Sequence, residues 1–397
     1  MGEEWMVESE PTVTETALDF FAGSGLVTEG LRPSFETIWA NDFCEKKRRV
    51  YEANFGSTHL DGSSISDVKG RSVPSARLAW ASFPCQDLSL AGNMSGINKG
   101  TRSGLYWEWL RVLDEMGERR RPPILCVENV VGFLVADRGR QFARAYRALR
   151  ERGYIAGAIL IDAVHFVPQS RPRSFLIAVR EGTPLFGSGL ARAAPDGVYH
   201  APSVMTAYRA VADDAWVWWN LPELPRRKAN LADIIDLDAS VDSPDSTERL
   251  IAMLSPINQR KLEVAKRCGR RIVGAGYKRV RVEGGRRVQR LEIRFDGVAG
   301  CLRTPEGGSS RQLVLIVKGD SVHTRLLTAR ETARLMGARE SFWLPDSYND
   351  AYRAMGDAVV VGVVRWLSRQ LLSKLCQMHA GRPLQPIREA HVDALAI

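Results

Sequence analysis

The sequence predicts an α/β fold, a doubly wound and mostly parallel Rossmann-like sheet, joined to a second, smaller and irregular domain. Three observations carry that prediction. Short apolar runs alternate with amphipathic stretches through the first 180 or so residues, the pattern of strands crossing over through helices. Glycines at Gly23 and Gly25 interrupt the chain where the first apolar run gives way to a helical pattern. Beyond Glu181 the periodicity fades into a stretch rich in Pro, Gly, Trp and basic residues, and it returns at Gln312-Leu-Val-Leu-Ile-Val317.

Taken in order, Thr16 to Ala22 reads as a buried strand, Thr37 to Ala40 as a second and Leu78 to Ser82 as a third, with a helix from Cys44 to Asn54 between the last two. Leu105 to Met116 is helical, because Leu105, Trp109, Val112, Leu113 and Met116 fall on one face. Ile124 to Val127 is a further strand and Gln141 to Arg152 a further helix. Ile155 to Val164 and Ser174 to Val179 close the sheet. Helices are expected again over Thr328 to Met336 and Ala358 to Leu375. The division that follows is 14–185, completed by 320–397, for the large domain and 186–319 for the small one. Trp216, Trp218 and Trp219 are expected in the core of the small domain.

The chain has 397 residues, with 55 Lys plus Arg against 46 Asp plus Glu and a net charge of +9. That balance favours a polyanionic partner without proving one. The six cysteines form no CxxC pair and no zinc spacing, so they read as reduced thiols of a cytoplasmic protein, and no metal site is expected. Residues 1–14 are acidic and lack the apolar core of a signal peptide. No apolar run is long enough to span a membrane.

The chemistry sits at strand ends. Asp19-Phe-Phe-Ala-Gly-Ser-Gly25 turns a strand into a helix, where backbone N–H groups can face a ligand; a tight structural turn explains the glycines equally well. The second strand ends at Asn41-Asp42-Phe43, and an acid there takes ribose hydroxyls in many doubly wound folds, or else caps the next helix. Ser82-Phe-Pro-Cys-Gln-Asp-Leu-Ser-Leu-Ala-Gly92 puts Cys85 directly after a proline at the carboxyl edge of the sheet. The following glycines, Gly92, Gly96, Gly100 and Gly104, suit a closable loop. A lone cysteine is ordinarily core, so a nucleophile needs company. Glu128-Asn-Val130 ends the next strand, and Gln169-Ser-Arg-Pro-Arg173 precedes another. A surface glutamate and a basic turn are the plain readings of each, but Cys, Glu and Arg at neighbouring strand ends look like an assembled site.

In this order, with Leu327-Thr-Ala-Arg-Glu-Thr-Ala-Arg-Leu335 and Gly356-Asp-Ala-Val359 after the variable stretch, the motifs resemble the cytosine-5 DNA methyltransferase family, from about Thr14 to Gln370. The resemblance implies a DNA (cytosine-5-)-methyltransferase that uses S-adenosylmethionine. Cys85 then matches the nucleophile that attacks cytosine C6, and Glu128 the residue that contacts N3 and the amino group. Arg173 matches the arginine on O2, with Arg171 beside it. Phe21, Gly23, Gly25, Asp42, Phe43, Asp61, Gly62 and Asp357 fall where the family binds its cofactor, Asp42 on the ribose and Phe43 on the adenine; Asp67 offers a competing register for Asp61. The family more often has Glu at position 42 and Asn at 357, and a carboxylate at 357 cannot donate as an amide can. Leu26 replaces a common second glycine and Trp343 a common proline.

The variable stretch, about Glu181 to Arg294, is the target-recognition region on this resemblance, and the expected partner is double-stranded DNA bound by a monomer. A restriction-modification setting is implied, whereas the target sequence and any cognate restriction endonuclease are not. Within the stretch, Lys266 to Arg294 carries eleven Lys and Arg against Glu283 and Glu292. Val280 and Val282 alternate with basic residues and Glu283-Gly-Gly285 offers a turn, so a hairpin with one basic face is expected, making phosphate contacts. Two other readings remain: an RNA (tRNA) cytosine-5 methyltransferase, against which the sizeable basic region argues, and a non-catalytic DNA-binding regulator, against which Cys85, Glu128 and Arg173 together argue.

Overall fold

In the computed structural model, residues 15–84, 104–185, 187–303 and 310–381 are described. The central sheet forms because its strands are apolar on both faces, the signature of strands covered by helices on either side. Ala17, Leu18 and Phe20 of β1 (Glu15–Phe20) and all of β4 (Leu78–Ala81) are buried. Between them come α1 (Leu26–Leu31), β2 (Phe35–Asn41), α2 (Glu45–Phe55) and the short β3 (Leu60–Asp61). There follow α3 (Leu105–Met116), β5 (Ile124–Val130), α4 (Gly132–Val135), α5 (Arg140–Arg150), β6 (Tyr154–Asp162) and β7 (Pro172–Arg180).

The seven strands run in the order β3-β2-β1-β4-β5-β7-β6. The first five are mutually parallel, and β7 is antiparallel to both β5 and β6. The order reverses beside β1, so the carboxyl ends of β1 and β4 diverge and open a crevice. Because β7 is antiparallel, its first residues reach the same edge.

The expected boundary at residue 186 does not match the packing. β8 (Ala191–Arg192), α6 (Pro202–Val211) and β9 (Trp218–Trp219) lie on the large sheet. Val204, Ala207 and Val211 share a core with Phe142 and Tyr146 of α5, and Val217 N–H bonds to Ala156 of β6. The tryptophans are corrected accordingly. Trp216 and Trp218 pack in that core, Trp216 stacking on Tyr146 at 5.6 Å, and Trp219 donates to Gly157 O on β6 at 3.0 Å. They serve the large sheet rather than the smaller unit.

The smaller unit is more regular than its sequence suggested. α7 (Leu231–Ile234) leads to it. α8 (Pro244–Ile251) and α9 (Pro256–Arg267) each begin with a Ser N-cap followed by Pro. They cover an antiparallel sheet of order β11-β10-β12-β13, made of β10 (Ile272–Glu283), β11 (Arg286–Arg294), β12 (Leu313–Lys318) and β13 (Ser321–Leu326). Leu254 and Leu262 meet Leu291, Ile293, Leu313 and Leu315 there. A division at 319/320 would cut the β12–β13 hairpin at its turn; the chain leaves this sheet after Leu326.

A capping box of Thr328 and Glu331 then starts α10 (Ala329–Leu335). Glu331 is fully buried and its Oε1 lies 2.6 Å from Nη2 of buried Arg325, which pins β13 to the large domain. α11 (Tyr348–Gly356), α12 (Val361–Leu367) and α13 (Ser373–His379) complete the chain's described part, the last two joined by one π-turn. A Cβ on Gly30 of α1 would fall 2.5 Å from Val364 Cβ of α12, so glycine lets this returning segment close on the first crossover. No helix among the described residues is long and apolar enough to cross a membrane.

Candidate active site at the strand ends

A cavity of about 560 Å³ opens at the crevice, within the usual range for small-molecule and cofactor sites. Each sequence motif reaches it from a different element. Phe21 and Gly23 follow β1, Asp42 and Phe43 follow β2, and Ser82, Phe83 and Pro84 follow β4. Glu128 lies near the end of β5, Arg171 just before β7 and Arg173 near its start, and Gly356, Asp357 and Ala358 come from the end of α11. Cys85 lies outside the described residues; Pro84, the residue before it, lines the cavity.

On the β1 side the backbone is bent toward a ligand. Phe21 and Gly23 both have positive φ, 59° and 57°. For Phe21 that conformation costs about 1–3 kcal/mol, a strain typical of ligand clamps. Gly23 N–H donates to Asp42 Oδ2 at 2.9 Å, and Cys44 N–H donates to Oδ1 at 2.8 Å. The Asp42 carboxylate is therefore fixed, yet each oxygen keeps a lone pair that can accept a hydroxyl. Phe43 is 65 % exposed beside it, an open aromatic face that suits stacking on a planar base. Asp42 and Phe43 thus offer what an adenosine-bearing cofactor needs.

Three expected cofactor residues sit differently. Gly25 does not line the cavity: its φ is 87° and a Cβ there would lie 2.4 Å from the Phe55 ring, so it is a packing glycine. Asp61 and Gly62 also fall outside the lining, where Ser64 and Ile65 stand instead. Asp61 closes its own turn by accepting from Ser63 N–H, and Gly62 O accepts from Arg48. Neither acid near that turn, Asp61 or Asp67, reaches the cavity, so no charge marked the correct register. Lys47 is the other omission. It meets Asp357 at 2.8 Å, and although burial lowers its pKa, Asp357 and Asp42 outweigh that and raise it. The carboxylate at 357 is thereby neutralised in place.

At the catalytic end Glu128 Oε1 lies 3.1 Å from Arg173 Nε, both groups largely buried. Asn129 donates to Phe83 O at 3.1 Å, tying the end of β5 to the turn before Pro84. Arg171 is 2 % exposed and its guanidinium is committed elsewhere: it donates to Leu302 O, Gly356 O and Ala358 O at 2.7–2.8 Å and to Cys301 Sγ at 3.1 Å. Burial, then Arg173, lower its pKa. Arg171 is a clamp that holds three segments at the cavity, a role the motif alone does not reveal. Its own backbone N–H is held by Asp162 Oδ1 at 2.7 Å. Cys301 is half-buried; desolvation raises its pKa, but Arg171, Arg173 and Arg303 outweigh that and lower it. Behind β1, Asp19 is fully buried; burial raises its pKa to about 7 against the hydrogen bond from Thr28, with Asp42 adding to the rise.

Comparison with known proteins places the chain in a family. The family model described as C-5 cytosine-specific DNA methylase matches residues 16–373. Type II methyltransferase M.HhaI of Haemophilus parahaemolyticus is 23% identical over 364 residues, covering 90% of this chain and 94% of that protein. Type II methyltransferase M.HpaII of Haemophilus parainfluenzae is 25% identical over 395 residues, covering 94% of each. Among solved structures, S. pombe Dnmt2 methyltransferase superposes with a TM-score of 0.55 at 17% identity, over 89% of this chain and 96% of that one. The Entamoeba histolytica methyltransferase EhMeth gives 0.57 at 14% identity, over 92% and 99%. At those identities the structures speak for the fold.

Proposed function

The chain belongs to the C-5 cytosine-specific DNA methylase family, and from that premise we propose that it flips a target cytosine out of duplex DNA and methylates C5 through a covalent Cys85 adduct at C6. The observation that carries the reading is the convergence of the Glu128–Arg173 pair, the Asp42–Phe43 end of β2 and Pro84 on one cavity. A thiol cannot reach C6 of a stacked base, so the cytosine must leave the duplex to enter such a cavity.

S-adenosylmethionine, the methyl donor of this family, supplies an electrophilic methyl group when bound. Asp42 would take its ribose hydroxyls and Phe43 its adenine face. The cysteine acts as thiolate: its sulfur bonds to C6, and the displaced electron pair moves through the ring toward C5. Glu128 holds or donates a proton at N3 and so stabilises the charge that this attack pushes onto the ring. Arg173 fixes the Glu128 carboxylate and presents its remaining N–H groups to cytosine O2. After C5 is methylated it loses its proton, the C6–S bond breaks, and Cys85 leaves as thiolate. Arg171 acts as a positioning residue, keeping the Arg173 strand and the Gly356–Ala358 turn at fixed separation.

The recognition unit on this reading comprises α8, α9 and β10 to β13, about residues 238–326, and is narrower than the expected 186–319. Its basic ribbon meets phosphate. The direct test is trapping on duplex DNA whose target cytosines carry fluorine at C5, which blocks the final proton loss. With S-adenosylmethionine present, the wild type should give a denaturant-resistant protein–DNA complex and Cys85→Ala none. Equal trapping by both would remove Cys85 from the mechanism. Methylation of tRNA in preference to duplex DNA would instead favour the RNA reading.

A further inference from the structure

The β10–β11 ribbon extends beyond the helices that cover its root. Lys278 to Arg290 holds six basic residues against one acid, and a two-stranded ribbon has dimensions that the DNA major groove admits. The register separates its residues onto two faces, because side chains alternate along each strand and stand opposite their cross-strand partners. One face carries Tyr277, Arg279, Arg281 and Glu283 opposite Glu292, Arg290, Val288 and Arg286. At its root this face continues through Ala275 and Val273 into the core shared with Ala299 and Leu302. It therefore looks toward the catalytic domain. Arg294, opposite Ala275, has its pKa raised first by Asp296 and more weakly by Asp162, the acid that holds the Arg171 backbone. The other face is closed at its root by α9 through Leu291 and Ile293.

The ribbon's arginines are of two kinds, Arg281 and Arg290 on the inward face being paired with carboxylates and Arg287, opposite Val282, lying on the other face. Arg281 directs Nε and Nη2 at Glu292 Oε1, 2.8 and 2.6 Å away. Arg290 directs Nε at Glu283 Oε1, 2.8 Å away, and Nη2 at Glu283 Oε2. Asn258 of α9 in turn donates to Glu292 Oε2 at 3.1 Å, so that carboxylate is itself anchored. Arg279, Arg286 and Arg287 make no side-chain hydrogen bond or ion pair among the described residues. A carboxylate on the Nε edge fixes the plane of a guanidinium and leaves its terminal Nη1/Nη2 edge outward. That edge has the two-donor geometry that matches guanine O6 and N7. A lone surface ion pair contributes little to stability, and two held in parallel on one basic face are better explained as orientation.

We propose that Arg281 and Arg290, locked by Glu292 and Glu283, are the base-reading side chains of the ribbon, each directed at a guanine in the major groove. Arg279, Arg286 and Arg287 hold the phosphates. This rests on the duplex-DNA reading above and assigns specificity within it. It also separates Arg281 from the general phosphate contacts that its sequence neighbours suggest.

The experiment is methylation of a duplex library with randomised positions around cytosine, read by bisulfite sequencing, for the full-length wild type, Arg281→Ala, Arg290→Ala, Glu283→Gln and Glu292→Gln. The wild type should select a site containing guanine. Each arginine variant should relax the preference at one guanine by roughly ten- to a hundredfold, leaving the other positions unchanged. Each glutamine variant should relax the same position as its arginine more weakly, with an unchanged melting temperature. If the arginine variants keep the wild-type site and only lower the rate on all sequences, they are phosphate contacts and this inference is overturned alone. If the wild type methylates no duplex at all, the functional reading and this inference fall together.

Discussion

At the cleft, Asp19, Asp42, Glu128 and Arg171 are all buried; Asp42 and Arg171 are held by backbone groups and Glu128 by the Arg173 guanidinium. On the ribbon, Arg279, Arg281, Arg286 and Arg287 stand in solvent or at its edge. The same kinds of residue do different work in the two places because the surroundings differ. In the buried site electrostatic interactions are strong and geometry is fixed, so each group has one task and its protonation matters. On the ribbon, charges are screened by salt beyond about 8–10 Å, so their joint effect is attraction to a polyanion, and only an added carboxylate gives any one of them a fixed aim. The cleft should respond to pH and to single-atom changes; the ribbon should respond to ionic strength.

The largest expected effect lies in the cleft. Glu128→Gln retains shape but loses the carboxylic proton, and kcat should fall by about 10² or more while the dissociation constant for duplex DNA stays within a factor of a few. A rate unchanged in single-turnover assays would remove Glu128 from the chemistry. Arg171→Met should act on stability instead, since Leu302 O, Gly356 O and Ala358 O all lose their donor. A loss of about 3 kcal/mol or more in urea unfolding is expected, and a loss under 1 kcal/mol would mean the clamp is dispensable.

Ribbon changes should sharpen the contrast from the other side. Neutralising Arg279, Arg286 and Arg287 together should flatten the dependence of log binding constant on log salt by about 0.9 per lost contact, with cofactor binding unaltered. An unchanged slope would place the phosphate contacts elsewhere. Asp42→Ala should do the reverse, weakening S-adenosylmethionine by about tenfold or more in calorimetric titration while the salt slope for DNA holds.

The remaining effect is a pH dependence of stability set by Asp19 behind β1. Asp19, at about 7 in the folded chain against the ordinary 3.8, retains a proton that the unfolded chain has lost. A native state that binds the extra proton is favoured at low pH, so this contribution to stability is greatest below about 4, declines as pH rises and is gone above about 7. Asp19→Asn, which stays neutral, should flatten the unfolding free energy between about pH 4 and 7. Parallel wild-type and mutant profiles would contradict the assignment.

Much of the cleft was legible because its constraints are local. Gly23 must take a positive φ, Pro84 fixes the turn after β4, and Glu128 ends a run of apolar residues, each visible in a few letters of sequence. What was not legible depends on contacts far apart in the chain. Asp357 looked like a defect until Lys47 was found opposite it, and Arg171 looked catalytic until its four acceptors were seen. Ser64 and Ile65 carry no charge to set against Asp61 and Asp67. The tryptophans at 216–219 sit in a stretch without periodicity, where nothing indicates which sheet they cover. The ribbon was expected as a basic hairpin and is one, but pairing each arginine with its glutamate needs the strand register.

The most direct measurement is bisulfite sequencing of plasmid DNA recovered from cells expressing the wild-type chain or Cys85→Ala, with an empty-vector control. The account predicts protected cytosines at one recurrent sequence with the wild type, and none above control with Cys85→Ala. Protection that persists in Cys85→Ala, or its absence from DNA exposed to an active wild-type protein that methylates RNA, would contradict it.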